Sequence, residues 1–246
     1  MAPGDGSKNA AWFDSGNPPG ADAMNNPSKE AQPASGPTTL RPAAPADAEA
    51  IGVLLREAGG PIADPVFGSG ESEVTIRNMT RLARRSGGLF SWDITTVAEV
   101  DGNVVGICSD LPGREVRRRL RSTIWSVFRV YGIIGMFRLS GRLSALRRGS
   151  PEVPDDDYQV VNVAVMPEFR NRGIGRALLE SAHRTAAVTG AARCSLTVII
   201  ENTDAQRLYD SLGYRPVDES VDNRLRRLTG ISGLRLMTLN ISSPVS

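Results

Sequence analysis

The sequence predicts an α/β fold: a mixed β-sheet flanked by helices, with a helical insert between the third and fourth strands. Three observations lead there. From Tyr158 onward, apolar runs of strand character alternate with runs of helical period, in the order strand, helix, strand, helix, strand, strand. An Asp101-Gly102 pair separates two apolar runs, which marks a tight turn whose twist matches paired strands. Residues 113–150 interrupt this rhythm with a long basic, amphipathic pattern.

The elements follow in order. Residues 1–37 mix Gly, Pro, Asn, Ser and Ala without apolar periodicity and read as a disordered tail before a domain at 38–242. Within the tail, Trp12 and Phe13 are the only large apolar pair, and Met24 offers a second possible start. Thr39–Arg41 is a short first strand closed by Pro42. A helix covers Pro45–Ala58, with Ile51, Leu54, Leu55 and Ala58 on one face, and Gly59-Gly60-Pro61 ends it. A second helix spans Glu71–Arg85 with Val74, Met79 and Leu82 inward. The hairpin strands are Thr95–Val100 and Asn103–Ser109.

In the insert, Leu120, Ile124, Val127, Phe128, Tyr131 and Ile134 recur at helical spacing among many arginines, while Gly132, Gly135 and Gly141 weaken the helix. One or two basic amphipathic helices are expected, then an acidic, Pro-containing loop at Pro151–Asp157. Tyr158–Met166 is a strand, Gly175–Thr189 a helix, Arg193–Ile200 a strand and Asp204–Leu212 a short helix stopped by Gly213. Tyr214–Val217 and Leu234–Ile241 are the last strands.

Composition narrows the function. With 29 basic and 27 acidic residues the net charge is +2, which argues against bulk nucleic-acid binding. The basic side chains are almost all arginine, Lys8 and Lys29 being the only lysines. Cys108 and Cys194 lie in apolar, strand-like runs and read as buried hydrophobes; they make neither a disulfide framework nor a zinc site, so no metal is expected. No secretory signal opens the chain and no run is long and apolar enough to span a bilayer, so the expectation is a cytoplasmic protein.

The chemistry concentrates at Val163-Ala164-Val165-Met166-Pro167-Glu168-Phe169-Arg170-Asn171-Arg172-Gly173-Ile174-Gly175-Arg176, where a strand runs through a Pro and an Arg/Gly turn into a helix. A helix N-terminus offers free N–H groups and a positive dipole end. Glycines just before it let a phosphate approach the backbone. The turn is therefore a diphosphate cradle by its chemistry. Its spacing is neither the dinucleotide fingerprint, since Leu178 takes the place of the third glycine, nor the P-loop, since no Gly-Lys-Ser/Thr follows.

Arg170-x-x-Gly173-x-Gly175, preceded by Val-x-x-Pro, resembles the acetyl-coenzyme-A signature of the GNAT superfamily of N-acetyltransferases. Asn202-x-x-Ala205-x-x-Leu208-Tyr209-x-x-x-Gly213-Tyr214 is similar to the second element of that family, and it follows in order with a strand between. The resemblance implies an acetyl-coenzyme-A-dependent enzyme acting on a primary amine of unspecified identity, with the cosubstrate in a splay between the strands at 158–166 and 193–200. It implies that the backbone of Val163, Ala164 and Val165 pairs with the pantetheine arm and thioester carbonyl. The amides of Arg170, Asn171, Arg172, Gly173, Ile174 and Gly175 would take the diphosphate. Asn202 would bond the pantetheine, and Tyr209 would protonate the departing thiolate; the other reading of Tyr209 is a core aromatic that only packs.

The general base departs from the family pattern. Some relatives carry glutamate where this chain has Thr197, which cannot act as a base. Glu99, Glu201 and Asp157 are substitutes, directly or through a water chain; His183, the only histidine, falls in the helix after the cradle, away from the expected substrate. The 113–150 insert has three readings: a helical cover on the sheet, a substrate lid, or a basic amphipathic surface with weak contact to an acidic membrane. Two other classes of function stay open: a non-catalytic acyl-coenzyme-A sensor and a membrane-peripheral interaction protein. Nothing in the pattern selects the acceptor amine or an oligomeric state.

Overall fold

The computed structural model describes residues 36–241. The predicted tail, with Trp12, Phe13 and Met24, lies outside the described residues except for positions 36 and 37. The elements run β1 (Thr39–Pro42), α1 (Ala48–Gly59), α2 (Ala63–Phe67), α3 (Ser72–Ala83), β2 (Thr95–Val100), β3 (Asn103–Pro112), α4 (Gly113–Arg148), β4 (Tyr158–Val165), α5 (Ile174–Val188), β5 (Arg193–Ile199), α6 (Thr203–Ser211), β6 (Arg215–Val221), α7 (Asn223–Thr229) and β7 (Gly233–Asn240). One seven-stranded sheet results, in the order β1-β2-β3-β4-β5-β7-β6. Only β4 and β5 pair in parallel. The α/β class and the helical insert between the third and fourth strands are as the sequence predicts.

The alternation of strand side chains sorts the helices onto two faces. Gly106 of β3 faces α5, where an added Cβ would lie 3.2 Å from the Leu178 side chain. Its neighbour Ile107 points the other way, into a core shared with Ile51 and Leu54 of α1, Met79 and Leu82 of α3, Val127 and Leu139 of α4 and Leu225 of α7. Hence α5 covers one face, and α1, α3, α4 and α7 cover the other. The β2–β3 turn has Asp101 at φ 50° and Gly102 at φ 79°, both left-handed, as the Asp-Gly pair requires.

Two elements escape the sequence reading. The segment after the Gly59-Gly60-Pro61 stop re-forms a helix at Ala63–Phe67, and a further short helix, Asn223–Thr229, links β6 to β7. In α7, the Asp222 carboxylate accepts from the amides of Arg224 and Leu225, both at 2.8 Å, and Gly230 at φ 82° closes the other end. The β6 strand also runs on to Val221, beyond the predicted Val217, because after a bulge at Val217 β7 supplies ladder partners from Asp218 to Val221.

The α1–α2–α3 corner is fastened by one carboxylate. Asp64 accepts two bonds from the Arg56 guanidinium, at 3.0 and 2.8 Å, and one from the Ser72 hydroxyl at 2.7 Å. The Arg56 bonds hold the Asp64 carboxyl down at about 2, against an ordinary 3.8. A depressed folded-state value means that the stabilisation is present above the unfolded value and is lost as pH falls from about 4 through about 2. Urea titrations of wild type and Asp64→Asn should therefore differ by about 1–2 kcal/mol at neutral pH and converge near pH 2.

Candidate active site

The parallel pairing of β4 and β5 is brief. It holds at Tyr158↔Cys194, Gln159↔Ser195 and Val160↔Leu196, after which the strands diverge. On its other side β4 stays paired with β3 as far as Gly106↔Val165. The Met166 amide donates to the Val105 carbonyl at 2.8 Å, so the peptide groups of alternate residues Val163 and Val165 point away from β3, into the seam. The Ala164 carbonyl lies instead against Gly106, on the β3 side. Of the three predicted backbone positions, Val163 and Val165 thus address the seam and Ala164 does not. Arg170 takes up the Val165 carbonyl through Nε at 3.1 Å.

The seam runs straight into the Arg/Gly turn. Gly173 sits at φ 80°, in the left-handed region, and caps α5, with no atom within 4 Å of where a Cβ would stand. Its carbonyl accepts from Ala177 at 3.0 Å, while among the described residues the amides of Gly173, Ile174, Gly175 and Arg176 meet no acceptor. Asn171 is also left-handed, at φ 61°. Four open amides on a fixed turn form an anion cradle by geometry alone. The arginines around it act largely as braces. Arg170 reaches Glu57 of α1 at 2.9 Å, Arg172 lies over the Phe169 ring at 5.0 Å, and Arg176 bonds Ser211 of α6 at 2.7 Å.

On the far side of the seam, Asn202 caps α6. Its Oδ1 accepts from the Ala205 amide at 3.1 Å, which leaves its exposed Nδ2 as an outward donor. Tyr209, in the same helix, is 6% exposed, and its ring is tilted against Tyr214 at 5.9 Å between centroids. Burial pushes the Tyr209 phenol up, so it remains protonated throughout the neutral range. His183 is held on the α5 side, with Nε2 2.9 Å from the Tyr214 hydroxyl, and burial lowers its pKa. Tyr214 also lies 3.3 Å from the Cys194 sulfur, so this aromatic group belongs to the α5 face.

The carboxylates considered as bases are all engaged. Glu99 is ion-paired with Arg41 at 2.8 Å. Asp157 stands at the opposite end of β4 from the seam, 2.8 Å from Arg193 Nε and bonded to the Ser195 hydroxyl. Glu201 does lie at the seam end of β5, where its Oε1 accepts the Ser232 amide at 2.8 Å. Burial works against ionisation there, but the Ser232 bonds prevail and hold that carboxyl below its usual range. Thr197 is exposed just beyond the last β4–β5 pair.

One polar group was missed. Asn162 interrupts the run Val160-Val161-Asn162-Val163-Ala164-Val165, and its polarity within an apolar strand was the available signal. It shares the face of Ala164, toward α1, and its buried Nδ2 has no acceptor among the described residues. An unmet buried donor beside an open seam fits a site that receives a carbonyl from outside.

A mixed sheet opened between two parallel strands, with an amide cradle at the head of the next helix, defines an acyltransferase class. This chain belongs to the acetyltransferase (GNAT) family, whose model matches residues 76–214, more than half its length. It is 33% identical over 119 residues to the ribosomal protein bS18-alanine N-acetyltransferase of Salmonella typhimurium (strain LT2), covering 46% of this chain and 80% of that protein. A Bacillus subtilis (strain 168) protein that bears the same name provisionally is 39% identical over 61 residues, 25% of this chain but only 40% of that protein. Among solved structures, an N-acetyltransferase from Staphylococcus aureus Mu50 shares the fold, with a TM-score of 0.59 at 18% identity, over 82% of this chain and 100% of that one. Another, described as an acetyltransferase, gives 0.57 at 21% identity, over 83% and 100%.

Proposed function

We propose that this protein transfers an acetyl group from acetyl-coenzyme A to a primary amine by direct attack while both are bound. The observation that carries the reading is the continuous track from the seam to the cradle: the seam-facing peptide group of Val163 and the N–H of Val165, then the open amides of Gly173 to Arg176. When bound, the thioester supplies the activated carbonyl. The seam's backbone holds its arm as an added strand, and a Val163 or Val165 N–H is placed to polarise its oxygen. The cradle fixes the diphosphate, and the outward Nδ2 of Asn202 donates to an amide of the arm. The two faces divide the remaining work. An amine reaches the carbonyl from the α1 side, beside Asn162 and Thr197. The sulfur departs toward the α6 side, where Tyr209 delivers a proton. With Glu99, Asp157 and Glu201 all engaged, the ammonium proton leaves through water, with Glu201, at the seam end of β5, as its acceptor. Protein amines head the list of acceptors, since the names of the two curated relatives give an alanine of ribosomal protein bS18 as what they acetylate.

The test is release of free thiol from acetyl-coenzyme A against a panel of peptide N-termini, lysine peptides, polyamines and small amines. Gly173→Asp makes it specific. Aspartate visits the left-handed conformation more readily than most residues and finds open space there, so folding should hold at a cost of about 1 kcal/mol. Its charge faces the diphosphate, so KM for acetyl-coenzyme A should rise about 10-fold or more. Thiol release that no amine stimulates, in a protein that still binds acetyl-coenzyme A tightly, would replace this reading with a sensor.

A further inference from the structure

The insert helix α4 presents an outward face that the sheet does not use. A helix broken at Gly132 (φ 67°) turns a single long element into two arms with an exposed bend. At and after that bend stand Ile133, Ile134 and Phe137, exposed by 74%, 69% and 84%. On the first arm Ile124 and Trp125 are exposed as well, with Trp125 stacked on Phe128 at 5.6 Å and Arg129 over the Trp125 ring at 5.5 Å. Arginines flank this apolar centre at both ends. Exposed Arg114, Arg117, Arg118 and Arg121 precede it, and exposed Arg138, Arg147 and Arg148 follow it. Over Gly113–Arg148 there are ten arginines against the single Glu115, a net +9 in a chain whose total is +2. Beside the first arm lies an open cleft of ≈ 310 Å³ lined by Arg81, Arg84, Arg85, Arg129 and Val130.

The inward side of the same helix is firmly anchored, so the strip is not a loosely packed cover. Tyr131 donates to the Phe67 carbonyl at 2.8 Å, Thr123 accepts from the Leu89 amide at 2.9 Å, and Leu139 and Val127 are buried in the core. What remains outside is apolar at the centre and cationic at the ends. That order suits a bilayer surface: side chains at the bend enter the acyl boundary while arginines meet lipid phosphates. A second copy docked two-fold on the same face would set its exposed arginines against their own like charges. No helix among the described residues is long and apolar enough to cross a membrane, so the contact is with a surface.

We propose that the outer face of α4 docks this protein on anionic lipid bilayers, with Ile133, Ile134 and Phe137 inserted and the arginine-lined cleft holding a lipid phosphate. The proposal is independent of the catalytic reading. It is tested by co-sedimentation of the full chain with phosphatidylcholine vesicles with and without phosphatidylglycerol. Binding is expected only with phosphatidylglycerol. It should weaken about 100-fold in Arg117→Gln/Arg118→Gln/Arg121→Gln and about 100-fold in Ile133→Ser/Ile134→Ser/Phe137→Ser. All six side chains are exposed, so both variants should keep the wild-type urea midpoint. A blue shift of tryptophan emission on vesicles, absent in Trp125→Phe, would place the strip in the interface. No sedimentation with phosphatidylglycerol, or sedimentation indifferent to the serine variant, overturns the proposal. So does a concentration-dependent dimer, seen by ultracentrifugation, that the serine variant abolishes without any lipid binding: the face would then be a subunit contact.

Discussion

Tyr209→Phe is expected to reduce amine-dependent thiol release by about 10²-fold while leaving acetyl-coenzyme-A affinity and the urea midpoint unchanged. The separation follows from what the substitution removes. The ring, its burial and its packing on Tyr214 all remain. No hydrogen bond to the Tyr209 hydroxyl exists among the described residues, so folding loses no bonded partner. What disappears is a proton held in place by burial, which keeps the phenol protonated across neutral pH. The ratio of wild-type to mutant rates should accordingly stay flat through that range. An acetyl donor built on a more acidic thiol needs less help in leaving, so it should narrow the gap. A mutant that matches wild type with coenzyme A as leaving group would reduce Tyr209 to a packing residue and put the proton elsewhere.

Asp157→Ala is expected to cost about 1–3 kcal/mol of stability, because it strips the acceptor from the buried Ser195 hydroxyl while the half-exposed Arg193 guanidinium can turn to water. The Asp157 side chain is 1% exposed, with Arg193 on one oxygen and the Ser195 hydroxyl on the other. Its backbone carbonyl accepts from Gly113 at 2.8 Å and its amide donates to Pro154 at 3.2 Å. One residue thus joins the start of α4 to the starts of β4 and β5, the three chain segments that must converge for the seam to open further along. Alanine would leave Arg193 and Ser195 without their acceptor. Asp157→Asn keeps the shape and one acceptor oxygen, so it should fall between the two in urea titration. At a temperature where Asp157→Asn is folded, its turnover should match wild type. A large loss of turnover in a fully folded Asp157→Asn would restore the base role that its position at the far end of β4 argues against.

The hairpin, the turn into α5 and α6 were legible because each rests on a few residues at fixed spacing. Asp101-Gly102 dictates a turn with two positive φ angles, and Gly173 permits the left-handed cap from which α5 starts. Helix α7 was not legible: its seven residues, Asn223–Thr229, are too few to show a period, and it is held by the Asp222 cap and by Leu225 buried under α4. The insert was legible as basic and amphipathic, but its sidedness was not. Ile124 and Val127 look alike in a hydrophobic pattern, yet one is exposed and the other buried.

By itself the sequence determined the class of fold, the order of its strands and longer helices and the chemistry of the Gly173 turn, since those depend on local dihedral preference and periodicity. Only the tertiary structure decided which peptide groups face the seam, that Asp157 is a fastening and that Asn162 carries an unmet donor. It also decided that the apolar centre of α4 faces outward. Those facts depend on which strand stops pairing with which, and on which side of a helix another element happens to cover. Such contacts join residues far apart in the chain, and no local spacing encodes them.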